Sequence, residues 1–151
     1  MKARHLLSAQ KGQSCPQSNA QLIVVLSAAM PAHVVLDCED PEALAPFWCE
    51  LLGVKVLSIY EDGRHLILAP TKEGFVIGLQ QVPEPKVGKN RMHVDVMVED
   101  LDEGTAKAEA LGGRWAEPGI TRHLEDFEGS LWRCLLDPEG NEFCIYTMPP
   151  A

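Results

Sequence analysis

A chain of 151 residues with 46% hydrophobic and 23% charged side chains has the size and composition of one compact globular domain. Its formal net charge of -9 at pH 7 argues against a nucleic-acid partner or an anionic membrane surface, so a small molecule or a protein is the expected partner. No apolar run reaches the roughly 18 residues of a membrane-spanning helix. The five cysteines lack CxxC spacing, which favours reduced thiols in a cytoplasmic protein.

Residues 1–31 differ in character from the rest of the chain. A polar segment with three basic residues leads into the apolar run Leu22 to Leu26 and then into small residues, which is a loose match to a secretory signal. The alternative, which we favour, is an N-terminal extension that is flexible or dispensable. The globular domain is therefore expected to begin at residue 32.

The first predicted unit begins with a β-rich strand from His33 to Cys38. Asp40 can cap a following helix that has Pro41 in its first turn, and Gly53 is suited to end it. Inside this helix Pro46 should loosen the first turn or restart the helix, because it removes a backbone hydrogen bond. One buried helical face is predicted from apolar residues at helical spacing: Leu44, Phe47, Trp48, Leu51 and Leu52.

Three extended segments follow the helix, at residues 54–60, 64–69 and 75–82, separated by turn-like residues. Residues 83–90 contain two prolines and a glycine and are predicted to form a linker without regular structure. The unit therefore has the order β-α-β-β-β.

The second predicted unit repeats this plan. A strand over 92–98 precedes a helix with capping-box spacing at residues 100–103, and a further strand begins at Arg114. An irregular acidic loop follows. The unit then closes with strands at 131–136 and 142–146, which flank a sequence typical of a type I turn.

Three matched positions show that the two units are copies. His33 corresponds to His93, Glu39-Asp40 to Glu99-Asp100, and Gly53 to Gly113. Paired supersecondary units of this kind bury their apolar faces together. The pattern predicts an α+β domain built from two β-α-β-β-β modules.

This duplicated plan, with a histidine opening each module and a final Asp-Pro-x-Gly-Asn turn, resembles the vicinal-oxygen-chelate superfamily and its glyoxalase-like domains. That superfamily includes glyoxalase, the extradiol dioxygenases, and the fosfomycin- and bleomycin-resistance proteins. The resemblance covers residues 32–148, with modules at about 32–82 and 91–148. It implies a cup-shaped sheet and a homodimer.

In metal-dependent members the ligands come from the first and last strands of each module, which implies His33 and His93 here. In the alignment, Gly78 and Cys144 stand at the positions of the two glyoxalase carboxylates. The fosfomycin-resistance pattern also has a glutamate at the position of Cys144. Glu142 lies two residues away, about 6.5 Å along a strand at roughly 3.3 Å per residue, which is too far to replace it. The chain thus departs from the usual hard-metal site.

Two interpretations of these positions remain. His33, His93 and Cys144 could form a soft metal site, for which zinc is the expected ion. Alternatively the histidines are hydrogen-bonded residues of the cup wall and Cys144 is a small strand residue. We favour the second interpretation, in which no cofactor is expected.

Other side chains complete the candidate site. Asp95, Asp37 or Glu142 could act as a base, although an aspartate at such a position more often bonds local backbone. Trp132 and Tyr146 lie on the closing hairpin and could line a ligand pocket or the core. His65 and His123 are expected at the surface.

Two hypotheses about function follow. The first is a protein of the bleomycin-resistance type that binds a small organic molecule without metal, through His33, His93, Trp132 and Tyr146. The second is a metal-dependent lyase or isomerase like glyoxalase, with Asp95 or Glu142 as the base. Whether the protein is an enzyme stays open at this point.

Overall fold

The computed structural model describes residues 33–123 and 129–148, so the predicted N-terminal extension lies outside the described residues. The first module contains five principal elements and one turn of 3-10 helix at Glu61–Gly63. Its elements are β1 (Val34–Cys38), α1 (Pro41–Leu52), β2 (Val56–Tyr60), β3 (His65–Leu68) and β4 (Ile77–Gln81).

The second module repeats the order and adds one short strand. Its elements are β5 (Asp95–Met97), α2 (Leu101–Ala110), β6 (Arg114–Trp115), β7 (Arg122–His123), β8 (Leu131–Leu136) and β9 (Glu142–Tyr146). The region predicted to be only an irregular loop contains β7, whose two residues are too few to show a period in the sequence.

Each module forms one mixed sheet. The first sheet has the order β1-β4-β3-β2, with β1 and β4 parallel. In the second sheet β5 is parallel to β9, β9 is antiparallel to β8, and β6 and β7 both pair with β8. The two sheets share one plan, which confirms the predicted α+β fold of paired β-α-β-β-β modules.

Helix α1 begins and ends as its sequence predicts. The Asp40 side chain accepts a hydrogen bond from the backbone of Ala43, and Gly53 caps the C-terminus with φ 68°. The expected break at Pro46 is wrong, because the helix is continuous from residue 41 to 52. Proline has no backbone N–H, so at Pro46 the carbonyl of Glu42 loses its usual helical hydrogen bond. Both residues are exposed, and the buried apolar face of α1 holds the helix together.

The core joins the two modules through three aromatic side chains. Phe47 and Trp48 of α1 pack edge-on against Phe143 of β9, with ring centroids 5.7 and 5.3 Å from it. The indole Nε1–H of Trp48 donates to the buried carboxylate of Asp137, with the two atoms 3.2 Å apart. The first helix is thereby fixed to the closing hairpin of the second module.

A second contact fixes the start of α1 to the same hairpin. The carboxylate of Glu139, in the turn between β8 and β9, accepts hydrogen bonds from the backbone N–H groups of Glu39 and Asp40, at 2.7 and 2.9 Å.

Neither α1 nor α2 has the length and apolar character that a bilayer crossing requires.

Candidate functional site

Three titratable side chains meet on the second sheet. Asp95 in β5 lies directly opposite Cys144 in β9, and His93 precedes Asp95 by two residues and shares its face. One ligand atom from each of His93, Asp95 and Cys144 lies within 4.8 Å of the other two. The Nε2 atom of His93 is 3.2 Å from an Asp95 carboxylate oxygen, so the aspartate orients the imidazole.

A pocket of about 360 Å³ opens beside this group. Trp132 and Tyr146, which are paired across β8 and β9, supply aromatic surface, and Arg122 lies over the Trp132 ring at 5.4 Å from its centroid. The lining consists of His93, Asp95, Ser130, Trp132, Cys144, Tyr146 and Met148.

Ser130 and Met148 are the pocket residues that the sequence did not indicate, and Ser130 is the polar one. Ser130 is 1% exposed, and its hydroxyl has no hydrogen-bond partner within the described part of the chain. A single serine before a strand carries no motif, so only the pocket makes it recognisable. A buried hydroxyl without a partner costs about 1–3 kcal/mol.

The Cys144 thiol is held in its neutral form. The residue is 6% exposed, and burial, followed by the neighbouring Cys134 and Asp95, raises the pKa of its thiol to about 12. Any metal that bound this sulfur would have to displace a proton.

Glu142 lies beside the pocket but is held by other partners. Its carboxylate accepts a hydrogen bond from the Asn90 backbone at 2.9 Å and pairs with the Lys86 ammonium at 3.1 Å. Burial acts to raise the pKa of this carboxyl, yet the bonds from Asn90 and Lys86 outweigh it and leave the pKa lowered. A carboxylate stabilised in this way is a poor proton acceptor, which leaves Asp95 as the better candidate base.

His33 is not part of the group around His93. It lies by the first sheet, with its ring centroid 6.4 Å from that of His65. The expected ligand set of His33, His93 and Cys144 is therefore not brought together within the described residues, and Asp95 takes the third place. Asp37, in β1, does not join the group either.

A side chain at Gly78, the position that would supply a carboxylate on the first sheet, would be crowded by neighbouring side chains. A Cβ atom at Gly78 would lie 3.2 Å from Cδ2 of His33 and 3.3 Å from Nε2 of His65. The expectation that His65 is a surface residue is wrong, because it is half-buried and its Nε2 has no partner among the described residues. The side chain of His123 lies outside the described residues.

The second-sheet group has the donor types that zinc accepts. An imidazole, a carboxylate and a thiolate are common zinc ligands, and three protein ligands leave one position for water or substrate in a catalytic site. The group therefore fits such an ion in ligand chemistry, while the neutral Cys144 thiol opposes its binding.

Paired β-α-β-β-β modules, each with one mixed sheet, are the architecture of the glyoxalase, bleomycin-resistance and dioxygenase class of folds. A family model described as a glyoxalase-like domain matches residues 33–146. The chain belongs to this glyoxalase-like family. None of the curated proteins matches it in sequence.

Solved structures agree on the fold. A glyoxalase/bleomycin resistance protein/dioxygenase family enzyme from Burkholderia phytofirmans is 17% identical, with a TM-score of 0.64 over 78% of this chain and 98% of that chain. A glyoxalase/bleomycin resistance protein from Albidiferax ferrireducens is 19% identical, with a TM-score of 0.58 over 80% and 100%. The fosfomycin resistance protein FosX from Listeria monocytogenes is 14% identical, with a TM-score of 0.62 over 81% and 95%.

Proposed function

We propose that the protein binds a small organic molecule in the pocket of the second sheet. The observation that carries this proposal is the pocket walled by Trp132 and Tyr146, whose lining also includes Ser130. A ligand with a flat face would stack on the aromatic rings. The Ser130 hydroxyl is closed to solvent and has no partner within residues 33–123 and 129–148, so a small shift of its neighbours would let a polar atom of the ligand satisfy it.

The charges around the pocket favour a neutral ligand. Among the described residues its lining includes one aspartate and no lysine or arginine. Arg122 lies over the Trp132 ring but lines the neighbouring cavity. The chain as a whole is strongly acidic, so an anion gains nothing from the long-range field. A planar ring with a neutral oxygen or amide substituent fits best.

Isothermal titration calorimetry tests this proposal, because it measures binding without relying on the emission of Trp132. Benzamide should bind the full chain and benzoate should bind far more weakly. Trp132→Phe should weaken binding about tenfold, the equivalent of about 1.4 kcal/mol. Trp115→Phe is the matched control, because the Trp115 ring packs under Arg133, at 5.0 Å, and does not line the pocket. Equal binding of benzamide and benzoate, or no difference between the two variants, would refute it.

The second candidate is a metal-dependent lyase or isomerase, favoured by the convergence of His93, Asp95 and Cys144. When bound there, a zinc ion would polarise a substrate oxygen. If Asp95 served as a ligand it would not be free as the base, so this candidate needs a base from the substrate or solvent.

Metal content separates the two candidates. Under the metal hypothesis, His93→Ala abolishes stoichiometric binding of zinc or of Co²⁺, read by elemental analysis and by the thiolate-to-cobalt absorption band. His33→Ala is the control and should leave binding intact, because His33 is not in the group. Stoichiometric metal that is lost in His33→Ala and kept in His93→Ala would exclude this site.

We further propose a cytoplasmic homodimer with no nucleic-acid or membrane partner. Free thiols at Cys38, Cys49, Cys134 and Cys144 support a reducing compartment. Exposed apolar side chains on β2 support self-association.

A further inference from the structure

Two cysteines lie directly opposite each other in the hairpin that forms the pocket wall. Cys134 in β8 pairs with Cys144 in β9 in the antiparallel register. Both line a cavity of about 210 Å³ that also contains Lys89 and Arg122. The two thiols are free.

The ladder of backbone hydrogen bonds shows what kind of pair this is. Thr147 donates to Leu131 at 3.0 Å at one end of the hairpin, and Asp137 donates to Asn141 at 2.9 Å at the other. Hydrogen-bonded and non-hydrogen-bonded pairs alternate along an antiparallel ladder. Counting inward from either end makes the pair of Cys134 and Cys144 a non-hydrogen-bonded pair.

The outward bonds of the two cysteines agree with this assignment. The N–H of Cys144 donates to Val94 on the β5 side at 2.9 Å, and the carbonyl of Cys134 accepts from Ala116 on the β6 side at 3.1 Å. Neither group faces the partner strand.

Non-hydrogen-bonded pairs bring the two Cα atoms to about 4.5 Å and direct both side chains to one face of the sheet. Disulfides are found at Cα separations of roughly 4.4–6.8 Å. The backbone of the hairpin thus already has a spacing that a disulfide accepts.

We propose that Cys134 and Cys144 are a redox-active pair that closes to a reversible disulfide across β8 and β9. Closure uses the Cys144 sulfur that lies beside His93 and Asp95, so this part of the pocket wall loses its thiol. The formation of the bond is independent of the proposed function, whereas its effect on the pocket rests on that function.

A small disulfide such as glutathione disulfide is the oxidant. Burial raises the pKa of both thiols, so the thiolate is a small fraction at neutral pH and the exchange is slow. The half-buried Cys134 loses its proton and attacks one sulfur of the oxidant, which gives a mixed disulfide and releases one glutathione thiolate. Cys144 then loses its proton and attacks the Cys134 sulfur, which releases the second. Two protein thiols are oxidised, and one small disulfide is reduced to two thiols that take up the two protons.

The other described cysteines supply controls. Cys38 lies in β1 and donates to the Gln80 carbonyl at 3.6 Å, and Cys49 lies in α1. Neither has a cysteine opposite it in a strand register. Cys15 lies outside the described residues and is replaced by serine in every test protein.

Thiol alkylation with mass spectrometry tests the pair. Folded Cys15→Ser protein is first incubated with glutathione disulfide. We then expect two fewer alkylatable thiols, a mass lower by two hydrogen atoms, and a cross-linked peptide that contains residues 134 and 144. Dithiothreitol should reverse all three changes. Cys134→Ala should abolish the cross-link, and Cys49→Ser should keep it. Continued alkylation of both cysteines, or a cross-link to Cys38 or Cys49, would overturn the proposal.

Calorimetric titration with benzamide then tests the effect on the pocket. The oxidised protein should bind benzamide at least several-fold more weakly than the reduced protein. A disulfide that forms without changing Trp132-dependent binding of benzamide overturns the link to the pocket and leaves the proposed function standing. Absence of the disulfide with normal benzamide binding overturns the cysteine pair alone.

Discussion

At the scale of single residues, Ser130 would place a stricter demand on the proposed ligand than the aromatic residues of the pocket would. Aromatic walls accept many flat molecules, because stacking depends on shape more than on the positions of atoms. A buried hydroxyl instead requires a polar atom at one place. Affinity at this pocket is therefore expected to follow the aromatic residues, and selectivity to follow Ser130.

Ser130→Ala should stabilise the ligand-free protein by about 1 kcal/mol, because the variant no longer buries a hydroxyl that lacks a partner in the described part of the chain. The same change should weaken benzamide binding. Urea unfolding with and without benzamide measures both effects, and Ser58→Ala in β2 is the control for losing a serine hydroxyl elsewhere. Lower stability of ligand-free Ser130→Ala would show that its hydroxyl is already satisfied.

Glu142 should stabilise the fold in a pH-dependent way. Its pKa is lowered from the ordinary 4.5, since burial is outweighed by the bonds from Asn90 and Lys86. A lowered pKa in the folded state means that the stabilisation is present above the unfolded-state pKa and is lost as the pH falls through the folded-state value.

We therefore expect Glu142→Gln to reduce the free energy of unfolding by about 1 kcal/mol near neutral pH, and to have little effect in acid. Urea unfolding across the acid range measures this difference. Glu109→Gln, at an exposed position of α2, should have no comparable effect at any pH. A deficit of the Glu142 variant that grew on acidification would contradict the assignment.

At the scale of elements, the junction of α1 with the β8–β9 hairpin holds the two modules together. Asp137 is fully buried and receives bonds from Trp48, from the backbone and side chain of Asn141, and from the Glu139 backbone. Burial raises the pKa of its carboxyl despite these donors. A raised folded-state pKa means that this group favours folding most at low pH, and that the benefit is lost as the pH rises through that value.

Trp48→Phe should reduce the free energy of unfolding by about 1–3 kcal/mol, because a buried carboxylate loses one donor while most of the ring packing is kept. The loss should be larger near neutral pH than in acid, since the donor favours the ionised form of Asp137. Calorimetry or urea unfolding measures it. Trp115→Phe is the control, and an equal loss in both variants would mean that the bond to Asp137 contributes nothing.

At the scale of the whole molecule, β2 is an edge strand with an apolar surface. Leu57, Ile59 and Tyr60 are 63%, 59% and 54% exposed. Edge strands of this kind are usually covered or protected by charge. A second copy related by two-fold symmetry would place its own β2 against this one, so that each β2 strand covers the other.

We therefore predict that the protein sediments as a dimer and that Ile59→Lys makes it a monomer, because a lysine would bury its charge in the interface. Sedimentation equilibrium measures the mass of each. Val87→Lys is the matched control, since Val87 is 86% exposed in the linker between the modules. A monomeric unmodified chain, or dissociation by both variants, would exclude β2 as the interface.

Local signals accounted for most elements of the fold. Asp40 and Gly53 delimit α1, and the Asp137 turn joins β8 to β9, because caps and turns depend on residues a few positions apart. Pro46 was misjudged because the sequence does not show how much burial holds α1 together. Strand β7 was missed because two residues have no measurable period.

The candidate site divides in the same way. That Asp95 shares a face with His93 follows from the period of two within a strand. The placement of β8 and β9 beside β5 brings Ser130 to the same pocket as His93 and Asp95. The position of the first sheet keeps His33 out of the group.

By itself the sequence determined a duplicated α+β plan, the start of both helices, the end of α1 and the strands that carry its reactive side chains, because these follow from short-range periodicity and capping. Only the tertiary structure decided that His93, Asp95 and Cys144 form one group, that Ser130 is buried in their pocket, and that Cys134 faces Cys144. These contacts join residues far apart in the chain, and strand register and the packing of α1 on β9, rather than any local pattern, bring them together.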